Sequence, residues 1–169
     1  ECAKADEGFE SLFNGLDLKG GKETVIVPGY VWKGSDGRLI PMFPTGPLVS
    51  DRKAGRGELM FDWKPGDKQA MAIANLGPVG VGVTREGGVS CEWKDEFRAP
   101  PTSGWAKKMN PTGWNRVVMA FDGETVVVRV NGDEVVRAKV DGAKPRESIS
   151  VMGGFGESEF RNIFFREPK

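Results

Sequence analysis

The chain has 169 residues, 24 Lys and Arg against 24 Asp and Glu, and no histidine. That length suits one domain whose core removes roughly 70% of the unfolded surface from water. Balanced charge offers no basic stripe for nucleic acid, and without imidazole there is no Ser-His-Asp or Cys-His catalysis and no HExxH zinc site.

Residues 1–8 (ECAKADEG) read as a polar tail ahead of a single domain over 9–169. A chain opening on Glu1 rather than Met suggests processing, and with it a secreted, periplasmic or cell-surface location. Phe9, Leu12 and Phe13 are placed to cap a core through a turn ended by Asn14-Gly15. A strand is expected over Val25 to Trp32, interrupted at Pro28-Gly29, and Asp36-Gly37 marks a hairpin before Arg38-Leu39-Ile40. Residues 41–47 (PMFPTGP) read as a loop, because each proline removes a ladder donor.

In GELMFDWK, Leu59, Phe61 and Trp63 point one way and Glu58, Met60 and Asp62 the other. Met71 and Ile73 alternate with Ala70, Ala72 and Ala74; Val79, Val81 and Val83 alternate with Gly80 and Gly82, leaving little on that strand's second face. After Gly87-Gly88, the residues Val89, Cys91 and Trp93 alternate with Ser90, Glu92 and Lys94. Cys91 thus reads as a buried thiol; pairing with Cys2 is left open. Asp95 to Pro111 reads as a long irregular loop carrying Trp105, the kind of segment that often holds function.

Trp114 to Val140 gives an antiparallel meander, with strands near 115–121, 124–130 and 134–140 joined at Asp122-Gly123 and Asn131-Gly132. Further strands follow at Ser148 to Met152 and Glu159 to Arg166, with a turn at Gly153 to Gly156. About ten short strands without a convincing helix predict an all-β fold, a two-sheet antiparallel sandwich of jelly-roll type. No apolar run is long enough for a transmembrane helix. Asp122, Asp133 and Asp141 lack the dense oxygen pattern of a calcium loop, so no metal or cofactor is expected.

Five segments occur in an order that resembles one family: GFESLFNGLDLKGG, VWKGSDGRLI, GELMFDWK, GWNRVVMAFDGETVVVRVNGDEV and EFRNIFFREP. Over about residues 8–167 the chain resembles the 3-keto-disaccharide hydrolases, with FESLFNG and FRNI the most specific pieces. The resemblance implies a concanavalin- or laminin-G-like jelly roll, an exported bacterial protein, and action on 3-keto-glycosides or binding of a glycan or small sugar derivative at the concave sheet face. Two segments depart from it. The family's NSG[IV] segment is replaced by Lys68-Gln69-Ala70-Met71, and its GYEVQ-x-x-D strand by GVSCEWKD. There Gly88 and Asp95 match, while Val89, Ser90 and Glu92 stand for the tyrosine, glutamate and glutamine.

Glu92 is the first candidate acid or base, with Lys94 beside it to lower its pKa. Asp62 and Glu58 are candidates for the second carboxylate of glycoside chemistry. Trp105 could stack on a sugar ring; Lys94, Ser90, Asn75 and Arg98 complete the candidate contacts, with Arg85 a further cation. Trp32, Trp63, Trp93 and Trp114 read as buried. The competing reading is a solvated Glu–Lys strand face with Trp105 anchoring its loop. A keto-glycoside enzyme and a non-catalytic glycan-binding or cell-surface interaction module both fit.

Overall fold

The structure is a computed structural model describing residues 8–13, 16–23, 29, 31–42, 44–93 and 102–168. Among these, the regular elements are all strands: β1 (Glu10–Ser11), β2 (Gly21–Glu23), β3 (Trp32–Ser35), β4 (Arg38–Pro41), β5 (Leu48–Ser50), β6 (Gly57–Pro65), β7 (Met71–Leu76), β8 (Val79–Thr84), β9 (Gly88–Glu92), β10 (Thr102–Trp105), β11 (Asn115–Phe121), β12 (Thr125–Val130), β13 (Asp133–Lys139), β14 (Ile149–Gly153) and β15 (Ser158–Arg166). They form two antiparallel sheets. The eight-stranded sheet runs β13-β12-β11-β6-β15-β4-β3, with β1 also on β15; the seven-stranded sheet runs β10-β9-β8-β7-β14-β5-β2.

The Asx-Gly pairs act as the sequence requires. Asp36 and Gly37 take φ of 51° and 76°, and Asn131 and Gly132 take 50° and 86°, the left-handed pair of a tight hairpin turn. At the third joint Asp122 Oδ1 accepts from the backbone N–H groups of Glu124 (2.8 Å) and Thr125 (2.7 Å), so a side chain closes the turn.

Period-2 alternation sends Leu59, Phe61 and Trp63 of β6 inward with Val117, Met119 and Phe121 of β11 and Phe160 and Phe165 of β15. They meet Ala72, Ala74 and Leu76 of β7, the valines of β8, and Val89 and Cys91 of β9. The small alanines share this core with the bulky aromatics, which lets the two layers interdigitate. Buried indole donors are satisfied: Trp63 Nε1 donates to Ser158 Oγ (3.1 Å) and Trp32 Nε1 to the Gly46 carbonyl (2.9 Å). Each such fully buried large side chain contributes roughly 1.5–3 kcal/mol.

Three expectations change. Trp105 does not sit in an irregular loop: residues 102–105 form the edge strand β10, in register with β9 from Thr102↔Cys91 to Trp105↔Gly88. The segment carries too few apolar residues to signal a strand, because one neighbour supplies its pairing. Trp114 is only half-buried, under the Arg161 guanidinium 4.0 Å from the ring centroid, and Trp93 is half-buried with its Nε1 donating to the Asp141 carbonyl (3.2 Å). The strand expected over Val25 to Trp32 is described only from its last residue, where β3 begins; residues 24–28 and 30 lie outside the described part, as do residues 1–7 of the tail and Cys2. Cys91 is a buried free thiol. Among the described residues no helix is long and apolar enough to cross a membrane.

Candidate functional site

Strand register decides which candidates share a surface. On the outer face of the seven-stranded sheet one row reads Val49, Ser150, Asn75, Gly80, Glu92 across β5, β14, β7, β8 and β9. The next row reads Met152, Ile73, Gly82, Ser90, Ser103. A third carries Met71 and Thr84 on paired strands, with Trp105 opposite Gly88 at the far edge. Asn75, Ser90, Glu92 and Trp105 are therefore on one face.

Strand β8 is the floor of that face. A Cβ on Gly80 would lie 2.9 Å from Asn75 Oδ1, and one on Gly82 would lie 2.9 Å from Ser90 Oγ. The amide of β7 and the hydroxyl of β9 thus lean over the Gly80–Gly82 part of β8, which has no side chains of its own and ends at Thr84, making a shallow trough there. Asn75 Nδ2 donates to Ser150 Oγ (3.1 Å), which orients the amide. Trp105 is 63% exposed at one rim, with its Cζ3 3.8 Å from the Cβ position of Gly88. Glu92 is exposed at the other end, and among the described residues no donor is bonded to its carboxylate.

The neighbouring thiol does not share the accessibility of this face. Burial, with the Glu92 carboxylate adding to it, pushes Cys91 from 9.0 up to about 12. Cys91 is therefore an inert core thiol at neutral pH.

Asp62 and Glu58 lie elsewhere. Both project from β6 on the outer face of the eight-stranded sheet, so the whole sandwich separates them from Glu92. Two sheets stack about 10 Å apart, and these side chains point away from each other, which puts them beyond the ~5–9.5 Å of a glycosidase carboxylate pair. Asp62 is 4% exposed. It accepts from Arg116 Nε (2.8 Å), Arg116 Nη2 (3.2 Å) and Asn162 Nδ2 (2.7 Å), and Arg161 Nε is 3.5 Å away. Asn162 reaches it from a bulge in β15, where its φ is +52°. Glu58 pairs with Arg166. This face continues as a lattice of ion pairs, with Arg38 and Lys64 on Glu159 and Arg129 and Arg137 on Glu134. The two β6 carboxylates therefore share no face with Glu92, and the pairing expected between them is not formed.

Two concavities lie off the trough. One of about 300 Å³ is lined by the Glu58–Arg166 pair together with Gly57 and Ala120. The other, about 430 Å³, sits at one end of the sandwich among Arg56, Pro78, Pro145 and Arg146. Neither includes Asn75, Ser90, Glu92 or Trp105. Arg85 holds a loop, donating from Nε to the Pro111 carbonyl (2.8 Å). Asp133 accepts from Lys108 Nζ (2.7 Å). Among the described residues no group of three or more His, Cys, Asp or Glu could hold a metal. Lys94 and Arg98 lie outside the described residues. Sequence reading missed Ser150, whose place beside Asn75 depends on the pairing of β14 with β7; the bare second face of β8 was its clue to the trough.

Two antiparallel sheets packed face to face make this an all-β jelly-roll sandwich, with a polar trough on one outer surface. Residues 8–166 match the 3-keto-alpha-glucoside-1,2-lyase-like domain, and the chain belongs to that family. Solved structures share the fold at low identity. A protein of Parabacteroides distasonis ATCC 8503, provisionally named a glycosyl hydrolase, superposes with a TM-score of 0.72 at 15% identity, covering 97% of this chain and 95% of that one. A Bacillus licheniformis beta-glucanase gives 0.68 at 9% identity, with 95% and 97% covered. A carbohydrate-binding module from Bacillus subtilis gives 0.58 at 11%, with 92% and 93% covered. No curated protein matches the chain by sequence.

Proposed function

We propose that the trough along β8 binds a sugar derivative of the 3-keto-glycoside kind, and that Glu92 acts on it as a single general base. The observation behind this is the composition of the face: neutral hydrogen-bonding groups, an exposed indole, a floor of glycines and one described carboxylate near the floor. A ketone at C3 of a pyranose acidifies the hydrogen on C2. A carboxylate that removes this proton leaves an enolate, whose electrons form the C1–C2 double bond and expel the oxygen on C1. The proton held on the base then neutralises the departing alkoxide. Such a 1,2-elimination needs one base, whereas hydrolysis by the usual routes needs two carboxylates on one face. In this reading Asn75 and Ser90 hydrogen-bond sugar hydroxyls, and Trp105 offers an apolar surface to the ring. The family's lyase-like description and the glucanases and carbohydrate-binding module of the same fold support this reading. A bacterial, secreted or periplasmic setting belongs to it, and fractionation of the producing cells tests that part.

The experiment is incubation with 3-keto-glucosides, followed by NMR for loss of the C2 hydrogen and appearance of the unsaturated ketose. Glu92→Gln should reduce turnover by at least about 100-fold, the scale of general-base catalysis, with stability within about 0.5 kcal/mol of wild type, as for an exposed site. Unchanged turnover in Glu92→Gln refutes the assignment. A second reading, a non-catalytic sugar-binding module, is favoured by the absence of any described group orienting Glu92. Saturable sugar binding by the wild-type protein with no turnover would establish it.

A further inference from the structure

The trough is chemically lopsided along its length. Asn75, Ser150 and Glu92 lie in its first row. One and two rows away, the β7 side of the wall turns apolar: Met152 pairs with Ile73, and Met71 follows Ile73 on the same face. All three are half-buried and point away from the core. Met71 leans back over the floor, with its Sδ 3.9 Å from the Cβ position of Gly82.

The same end of the trough is flanked by exposed aromatics. Leu16, Trp105 and Phe155 are the large apolar side chains exposed among the described residues. Trp105 closes the Met71 row on the β10 edge. On the other edge Gly154 N donates to the Met71 carbonyl (2.7 Å), and Phe155 is the next residue. The same rows carry Ser90, Ser103 and Thr84, so the apolar side chains form one wall and the Trp105 rim of a mixed surface, a grouping that marks a ligand surface. Thioethers and an indole favour a flat, polarisable group through sulfur–aromatic and ring–ring contacts. No described cation lies in these rows to recognise an anionic substituent.

We infer that the bound glycoside is amphipathic, with its sugar ring at the Asn75–Glu92 end and an uncharged aromatic aglycone between Met71, Ile73 and Trp105. This rests on the reading of the trough as a sugar site. It adds an aglycone subsite and a substrate class, aryl glycosides, whose ring meets the apolar wall of Met71, Ile73 and Met152.

The test is calorimetry with methyl and phenyl 3-keto-glucosides, with turnover blocked by Glu92→Gln. The phenyl glycoside should bind at least tenfold more tightly. Ile73→Ser and, separately, Met71→Gln should bring the phenyl-to-methyl ratio towards one, with thermal midpoints confirming folded protein. Equal affinities for the two ligands overturn the aromatic subsite and leave the sugar site standing. A phenyl preference that survives both substitutions overturns the placement at Met71 and Ile73. Binding of neither ligand removes the sugar site and the subsite together.

Discussion

Asp62→Ala should destabilise the fold by about 3 kcal/mol while turnover per folded molecule stays at the wild-type level. The carboxylate sits at the register point Arg116↔Asp62↔Arg161 on three neighbouring strands. Three hydrogen bonds of 2.7 to 3.2 Å reach it, two from Arg116 and one from Asn162. The Arg161 contact at 3.5 Å is ionic only, since its Nε is buried without a hydrogen-bond partner. Removing one member of a buried pair costs ~3–5 kcal/mol, because the other charge is left uncompensated. Here the Arg116 and Arg161 side chains are 36% and 34% exposed against 6% for Asp62, so both cations can turn to water and the lower end applies.

For a domain of this size, 1 kcal/mol moves the thermal midpoint by about 2–4 °C, so a fall of about 6–12 °C is expected. Urea denaturation monitored by tryptophan fluorescence gives the free energy directly, and activity is compared at equal folded concentration. A loss below 1 kcal/mol would refute the description of Asp62 as a buried anchor. A catalytic defect in fully folded Asp62→Ala would instead return this carboxylate to the chemistry.

Two further perturbations probe the other sheet. Gly82→Val should leave stability unchanged or raise it by up to about 1 kcal/mol, since valine suits a strand better than glycine, while abolishing sugar binding by filling the trough; calorimetry showing wild-type affinity would contradict the site. The Cys91 thiol, held up at about 12 by burial and then by Glu92, gives a pH signature. Above pH 9 the unfolded thiol ionises while the native one keeps its proton, so the unfolded state binds fewer protons. The group's stabilisation is complete below pH 9 and is lost as pH rises towards 12, by at most about 1.4 kcal/mol per unit. Between pH 8 and 10.5 wild type should lose roughly 2 kcal/mol more than Cys91→Ala, and parallel urea curves would refute this.

Local alternation made the inward half of the molecule legible. Leu59, Phe61 and Trp63, the β8 valines and the meander valines all point where period 2 sends them. Alternation could not say which sheet a strand joins. Asp62 and Glu92 both read as outward-facing, and both are, but from opposite sides, because β6 pairs with β11 and β15 while β9 pairs with β8 and β10. Such pairings are set by contacts distant in the chain, such as Trp63↔Phe160. Nor does alternation reveal cover: Asp62 is an outward position buried by arginines from two other strands. Trp105 was hidden differently, since TSGW carries no alternation and its strand is defined by the partner β9.

The glycines of β8 give a further reason to place function on this face. A mid-strand glycine costs about 0.5–1 kcal/mol relative to alanine, so two at alternate positions call for a cause. Elsewhere the cause is steric or conformational: a Cβ on Gly104 of β10 would meet the Val135 carbonyl oxygen at 2.2 Å, and Gly77, in the turn after β7, has a φ of +58° besides a Gly55 carbonyl oxygen 2.2 Å from its Cβ position. At Gly80 and Gly82 the nearest atoms are Asn75 Oδ1 and Ser90 Oγ, ends of side chains that can rotate away, and neither glycine has a positive φ. Side chains at these two positions would have to displace only those tips, and their absence is what lets the amide and the hydroxyl lie over β8. The opposite sheet shows the contrast. There the outward charges are already engaged with one another, Arg166 with Glu58, Arg38 and Lys64 with Glu159, and Arg129 and Arg137 with Glu134, so a sugar hydroxyl would have to compete for each. The trough asks that water leave an amide, hydroxyls and an indole, with one carboxylate, Glu92, exposed at its end.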